Sequence, residues 1–186
     1  MGWKDALIAT YVAREAVRIG KFKLAGGGTS DLYFDGRRVS TYPKGLRAIT
    51  DGMVATIREG DLLPAGCNLV APVISGIPIA SAISLALDVP FVMDRGKPKQ
   101  HGLGQRFEGV FGTDPRCLIV DDLITVGSTL VQTVEALREM GKEVGHAIVV
   151  VDRNEGGRDL LAGLGVTLHA LLTAGELRAA AARATS

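Results

Sequence analysis

Residues 117–129, Cys-Leu-Ile-Val-Asp-Asp-Leu-Ile-Thr-Val-Gly-Ser-Thr, restrict this chain more than any other stretch. An apolar run of strand type reaches two adjacent carboxylates. It then passes through small and hydroxylated residues into a segment where Leu130, Val131, Val134, Leu137 and Met140 recur at helical spacing. Strand, tight loop and helix start follow one another without a gap. The free N–H groups of a helix start bind a phosphate dianion, and the hydroxyls of Thr125, Ser128 and Thr129 add donors. Asp121 and Asp122 stand one step earlier, placed for the hydroxyls of an attached sugar or for a hydrated cation. Residue chemistry alone therefore points to a sugar-phosphate site. The plainer alternative is a buried strand end whose aspartates cap the next helix.

Strands and helices alternate along the rest of the chain. A helix is expected over Trp3–Arg18, followed by two short strands joined by Gly26-Gly27-Gly28. Pro43 opens a helix to about Arg58, and Asn68–Pro72 reads as a strand leading through Gly76-Ile77-Pro78 into an apolar helix. Pro90–Met93 is a short strand, and residues 94–111 read as one long glycine-rich, charged loop. Further strands are expected at His146–Val151 and Val166–Leu172, with a short helix between them. Thr173 and Glu176 form a capping box for a last helix, whose Ala179–Ala182 end is expected to fray. Apolar strands between helices indicate an α/β fold, a parallel sheet flanked by helices, with ligands at the carboxyl ends of the strands. The expected organisation is one domain, 1–186. Residues 1–41 form an N-terminal helix and small flap, and 42–186 form the core with its mobile loop 94–111.

Composition narrows the partners. Lys and Arg total 21 against 20 acidic residues, which does not suit a polyanion-coating protein, so no nucleic-acid partner is expected. No apolar run is long enough to span a bilayer, and the charged, amphipathic N-terminus is wrong for a signal peptide. A cytoplasmic enzyme without a membrane partner is expected. Cys67 and Cys117 read as small buried thiols, and their spacing does not suit a zinc site. His146 and His169, in or beside apolar strands, read as core or edge residues.

The 117–129 stretch resembles the signature of the type I phosphoribosyltransferases: apolar strand, acid pair, then Thr, Gly and Ser/Thr opening a helix. A likeness to the orotate phosphoribosyltransferases covers residues of about 20 to 175. It is carried by Arg95, Lys99, His101-Gly102 and Glu108-Gly109 in the long loop, and by Phe22, Leu24, Ser30 and Tyr33-Phe34-Asp35 near the N-terminus. Gly76-Ile77-Pro78 and Asp152-Arg153 with Gly156-Gly157 add to it. The chain departs from that pattern at Ala25 and Ser75, where lysine is usual or frequent. It also departs at Gly26-Gly27, Ile74 and Gly96.

The resemblance implies conversion of orotate and phosphoribosyl pyrophosphate (PRPP) to orotidine 5′-monophosphate and pyrophosphate, with Mg²⁺ as cofactor. It implies a homodimer with shared active sites. PRPP would be held by Arg95, Lys97, Lys99, His101, Asp121, Asp122, Leu123, Ile124, Thr125, Val126, Gly127, Ser128 and Thr129. The base would meet Thr125 and Arg153, and catalysis would fall to Lys99, His101, Asp121 and Asp122. Mg²⁺ would bind mainly through PRPP, near Asp121 and Asp122. Arg153 suits its role on chemical grounds as well, because a planar guanidinium holds a carboxylate through two hydrogen bonds. A phosphoribosyltransferase for another base, or a non-catalytic regulator that senses PRPP or nucleotides, remains open.

Overall fold

The structure, a computed structural model, describes residues 2–23, 29–96 and 105–184. Its elements are α1 (Trp3–Ala13), β1 (Val17–Lys23), β2 (Thr29–Phe34), α2 (Arg37–Ser40), α3 (Pro43–Glu59), β3 (Asn68–Pro72), α4 (Gly76–Leu87) and β4 (Phe91–Asp94). After these come β5 (Phe107–Glu108), β6 (Arg116–Ile124), α5 (Ser128–Glu139), β7 (Glu143–Asp152), α6 (Gly157–Gly163), β8 (Thr167–Thr173) and α7 (Ala174–Ala184). Among the described residues the main sheet runs β5-β4-β3-β6-β7-β8, parallel except for β5, and β1 and β2 form a separate antiparallel pair.

The sheet is covered on both faces, which is why its central strands are apolar along their length. One core packs Ile79 and Ile83 of α4 with Ile49 and Met53 of α3, Leu7 and Tyr11 of α1 and Leu177 of α7 against Leu118, Val120, Ile148 and Val150. The other packs Leu130, Val134 and Leu137 of α5 and Leu161 of α6 against Ile119, Ala147 and Val149. Each such fully buried aliphatic side chain contributes about 1.5–3 kcal/mol. The alternation of strand residues between the two cores is the period-two signature of β-structure.

Three local expectations are corrected, and one short helix is new. The first helix stops at Ala13 rather than Arg18. Glu15 takes a left-handed φ of 49°, and Val17 is already paired with Phe34. The apolar spacing there was compatible with a helix, but strand pairing overrode it. The long loop is shorter than its composition suggested, because Asp94 belongs to β4 and Phe107–Glu108 pair antiparallel with Met93–Asp94. The single turn α2 carried no pattern long enough to read. The alanine-rich end does not fray within the described residues, since Ala180 and Ala181 are buried. The capping box is present, with the Thr173 N–H donating to Glu176 Oε2 at 2.7 Å and the Glu176 N–H to Thr173 Oγ1 at 3.3 Å.

Candidate active site

β6 outruns its neighbour on one side. Its pairing with β3 ends at Val70↔Ile119, whereas it stays in register with β7 as far as Ile124↔Asp152. β3 ends at Pro72, and the chain turns through Val73–Ser75, where the Val73–Ile74 peptide is cis, into α4. From β3 the chain winds outward through α4 to β4, while from β6 it winds the other way through α5 to β7. The crevice between β3 and β6 is thus a topological switch point, the usual ligand site of such sheets.

Asp121 and Asp122 lie where β6 runs past the end of its pairing with β3 while still beside β7. Two glycines permit this. A Cβ on Gly36 would come 2.8 Å from Asp122 Oδ2, and one on Gly76 would come 2.7 Å from the Val120 carbonyl and 3.4 Å from Asp121 Oδ1. Asp121 is only 8% exposed, and its Oδ1 accepts the Asp122 N–H at 2.8 Å. Burial, then the Asp122 charge, pushes the Asp121 carboxyl well above the usual range. Burial also raises Asp122, although the Ser75 hydroxyl and the Arg37 charge work the other way. Tyr11, from α1, is only 1% exposed. Its burial, with the Asp122 charge, pushes its phenol far up.

The loop after β6 leads to a helix start suited to an anion. Gly127 has φ 86°, which favours glycine, and a Cβ there would come 3.1 Å from Gly157 Cα. Val131 N–H makes the first helical bond, to the Gly127 carbonyl at 3.0 Å, so the N–H groups ahead of it have no partner within the helix. The first turn of α5 carries no acidic residue, and Ser128 and Thr129 are exposed. Val126 is exposed on the same loop, whereas Leu123 is half-buried and Ile124 joins the core.

Arg153 borders this loop. Its backbone N–H donates to the Ile124 carbonyl at 3.0 Å, and Gly157 N–H donates to the Thr125 carbonyl at the same distance. The Arg153 side chain is 13% exposed and pairs with Glu155 at 2.7 Å. Its guanidinium carbon lies 5.4 Å from the centre of the Phe34 ring. Nε is buried and has no hydrogen-bond partner among the described residues. Asp152, by contrast, is occupied structurally, holding Arg158 at 3.0 Å and the Asn154 N–H at 2.8 Å.

Lys97, Lys99 and His101 lie outside the described residues, as do Leu24, Ala25 and Gly26–Gly28. The stem of their loop is described and is tightly held. Asp94, at 2% exposure, accepts two bonds from Arg106 (2.7 and 2.8 Å), one from Thr133 Oγ1 (2.7 Å) and one from Gly96 N–H (2.8 Å). Burial raises the Asp94 carboxyl, but these donors outweigh it and hold the group below its ordinary value. Arg106, although it belongs to the charged loop, is therefore committed to the stem. Arg95 pairs with Glu108 at 3.4 Å on the same stem.

Residues 67–164 match the phosphoribosyl transferase domain. The chain is 39% identical over 177 residues to the orotate phosphoribosyltransferase of Halobacterium salinarum, covering 95% of this chain and 98% of that one. It is 39% identical over 165 residues to that of Natronomonas pharaonis, covering 89% and 91%. The crystal structure of orotate phosphoribosyltransferase from Aeropyrum pernix superposes with a TM-score of 0.79 at 30% identity, covering 92% of this chain and 96% of that one. The chain belongs to the orotate phosphoribosyltransferase family.

As a member of that family it is a phosphoribosyltransferase, and its sheet, helices and crevice have the family's architecture. The fold gathers Asp121–Thr129 and Arg153 around one crevice end. Three features at or near the site escaped the sequence. Gly36 and Tyr11 bear on the acid pair from the N-terminal segment, Arg37 stands beside it, and the Asp94–Arg106–Thr133 lock anchors the loop. Gly36, between Asp35 and Arg37, was the one with a readable sign, because glycine often marks a close backbone approach. The others depend on contacts between segments that share no spacing.

Proposed function

We propose that this chain transfers the phosphoribosyl group of PRPP to a ring nitrogen of orotate, forming orotidine 5′-monophosphate and releasing pyrophosphate. The observation that carries the choice of base is Arg153. Its buried, unpartnered Nε beside a stacked Phe34 suits a flat ring bearing a carboxylate. The α5 start would take the 5′-phosphate, Asp121 and Asp122 the ribose hydroxyls, and the α4 start the diphosphate.

In this reading the C1′–oxygen bond to the diphosphate breaks as the nitrogen–C1′ bond forms. Positive charge builds on the ribose and negative charge on the leaving group. The acid pair sits where it can hold the ribose and stabilise the charge growing there. Arg95, Lys97, Lys99 and His101 would close over the leaving group and exclude water. Orotate brings its own nucleophile, so no protein nucleophile is required. Asp121 and Asp122 offer the hard oxygens that Mg²⁺ prefers. No group of three or more His, Cys, Asp or Glu gathers among the described residues, so the substrate's own oxygens would complete its shell. Bound there, Mg²⁺ would neutralise part of the diphosphate charge. The proposal includes a homodimer in the cytoplasm. Two buried thiols without a disulfide fit a reducing compartment, and no described helix is long and apolar enough to cross a membrane.

A pyrophosphate-release assay with PRPP and Mg²⁺ across orotate, uracil, adenine, guanine and xanthine tests the reading. Release with orotate alone is expected, and release with a purine but not orotate would refute it.

A further inference from the structure

We propose that Arg37 is a substrate-binding residue of this site, donating to the diphosphate of the sugar substrate from the flap side of the acid pair. The inference rests on the transferase reading above and adds a residue that none of the sequence signals assigned. Arg37 follows Gly36, where a Cβ would come 2.8 Å from Asp122 Oδ2, so the backbone just before Arg37 lies against the acid pair. Ser75, at the start of α4, bears on the same carboxylate. The segment carrying Arg37 and the diphosphate-facing turn therefore meet at Asp122. That turn, Val73-Ile74-Ser75-Gly76, carries no cation. The first turn of α4 carries no acidic residue.

The other arginines around the site are engaged differently. Arg38 reaches back to the end of α1, donating to the Arg14 and Glu15 carbonyls at 3.0 and 3.3 Å. Arg153 pairs with Glu155 and serves the base in the reading above, and Arg106 is held by Asp94. Arg37 differs from all three. Its side chain is 67% exposed and makes a single described contact, from Nε to Asp35 Oδ1 at 3.2 Å. That contact orients the guanidinium through one edge and leaves the Nη1 and Nη2 donors without a partner among the described residues. This is the fork that matches two oxygens of a phosphate. A group with spare donors beside two carboxylates also offsets the repulsion that the pair exerts on an incoming polyanion.

The decisive comparison is between a ligand with the diphosphate and one without it. Binding of PRPP, inorganic pyrophosphate and ribose 5-phosphate is measured by calorimetry with Mg²⁺ for the wild-type chain, Arg37→Gln and Arg37→Lys. Arg37→Gln should weaken PRPP and pyrophosphate about tenfold, the loss of one charge-assisted hydrogen bond, and leave ribose 5-phosphate within about twofold. Arg37→Lys, which keeps the charge without the fork, should fall between. Unchanged PRPP affinity overturns the proposal. So does equal weakening of PRPP and ribose 5-phosphate, which would assign Arg37 to holding the acid pair instead. If the wild-type chain binds PRPP yet turns over no orotate, the choice of base fails while the Arg37 comparison still decides this inference. If it binds neither PRPP nor pyrophosphate, both fail together.

Discussion

Arg153 and Asp121 are the two groups that the folded chain leaves least satisfied, one a cation with an idle buried donor and the other a carboxylate short of water. For Arg153 the expected consequence is selective. Arg153→Lys keeps the charge but loses the planar fork. The KM for orotate should then rise about tenfold or more while that for PRPP changes little. Steady-state kinetics with each substrate varied in turn checks this, and equal effects on both would remove Arg153 from the base. For Asp121 the raised titration has opposite consequences for stability and activity. A carboxyl whose pKa is higher folded than unfolded makes the folded state bind more protons in the interval between the two values. Without ligand, the contribution of Asp121 to stability is therefore greatest below the ordinary carboxylate range and is lost as pH rises through the raised value. Activity, which needs the charged form, should fall as pH drops through that same interval. Asp121→Asn should raise the unfolding midpoint at neutral pH, each 1 kcal/mol being worth about 2–4 °C at this length, while abolishing transfer. The difference between wild-type and Asp121→Asn stability across pH isolates the effect. It cancels the opposite contribution of His169, which burial and His146 hold below its usual value. A difference that does not change with pH would refute the assignment.

At the scale of elements, the legible parts were those whose pattern is local. The β6–loop–α5 unit was readable because apolar strand, hydroxyls and helical spacing are contiguous, and the Thr173–Glu176 cap because a capping box spans one turn. The start of β1 was not legible. Val17 and Ile19 obey a helical and a strand pattern about equally, and the choice was made by pairing with β2. The ends of the long loop were hidden for a related reason, since Asp94 and Arg106 are twelve residues apart and meet only once β5 folds back on β4. This lock yields a third prediction. Arg106→Gln strips a buried carboxylate of its cation and should destabilise the chain by about 3–5 kcal/mol, measured by urea unfolding. A loss below about 1 kcal/mol would show that Thr133 and the Gly96 N–H suffice for Asp94.

For the whole molecule, the unanswered matter is how a basic loop that starts beside β4 is used. A two-fold dimer is the commonest oligomer, and the family resemblance implies lids that close over the neighbouring chain's site. Lys99 would then act on substrate held by Asp121 and Asp122 of the other chain. Lys99→Ala should lose about 2–4 kcal/mol of transition-state stabilisation, and Asp122→Ala should be inactive for a separate reason. Equal amounts of the two, allowed to exchange subunits, give dimers of which about half are mixed, each with one complete site. Activity should recover to roughly a quarter of wild type. No recovery after exchange is verified by mass would mean that each lid serves its own chain.

The family of the chain was written in short, continuous runs: the acid pair with the loop and helix start that follow it, and an arginine at a strand end. These survive as sequence signals because a strand, a turn and a helix start are set by neighbouring residues. The state of the site was not written there. Asp121 is buried because α4 begins at a glycine pressed on the Val120 carbonyl, and Asp122 is crowded by Gly36, eighty-six positions earlier. The burial of the Tyr11 phenol, the approach of Arg37 to Asp122 and the capture of Arg106 by Asp94 likewise arise between segments that only the fold brings together. Desolvation and charge coupling depend on distance through space, so only the packed fold could assign them.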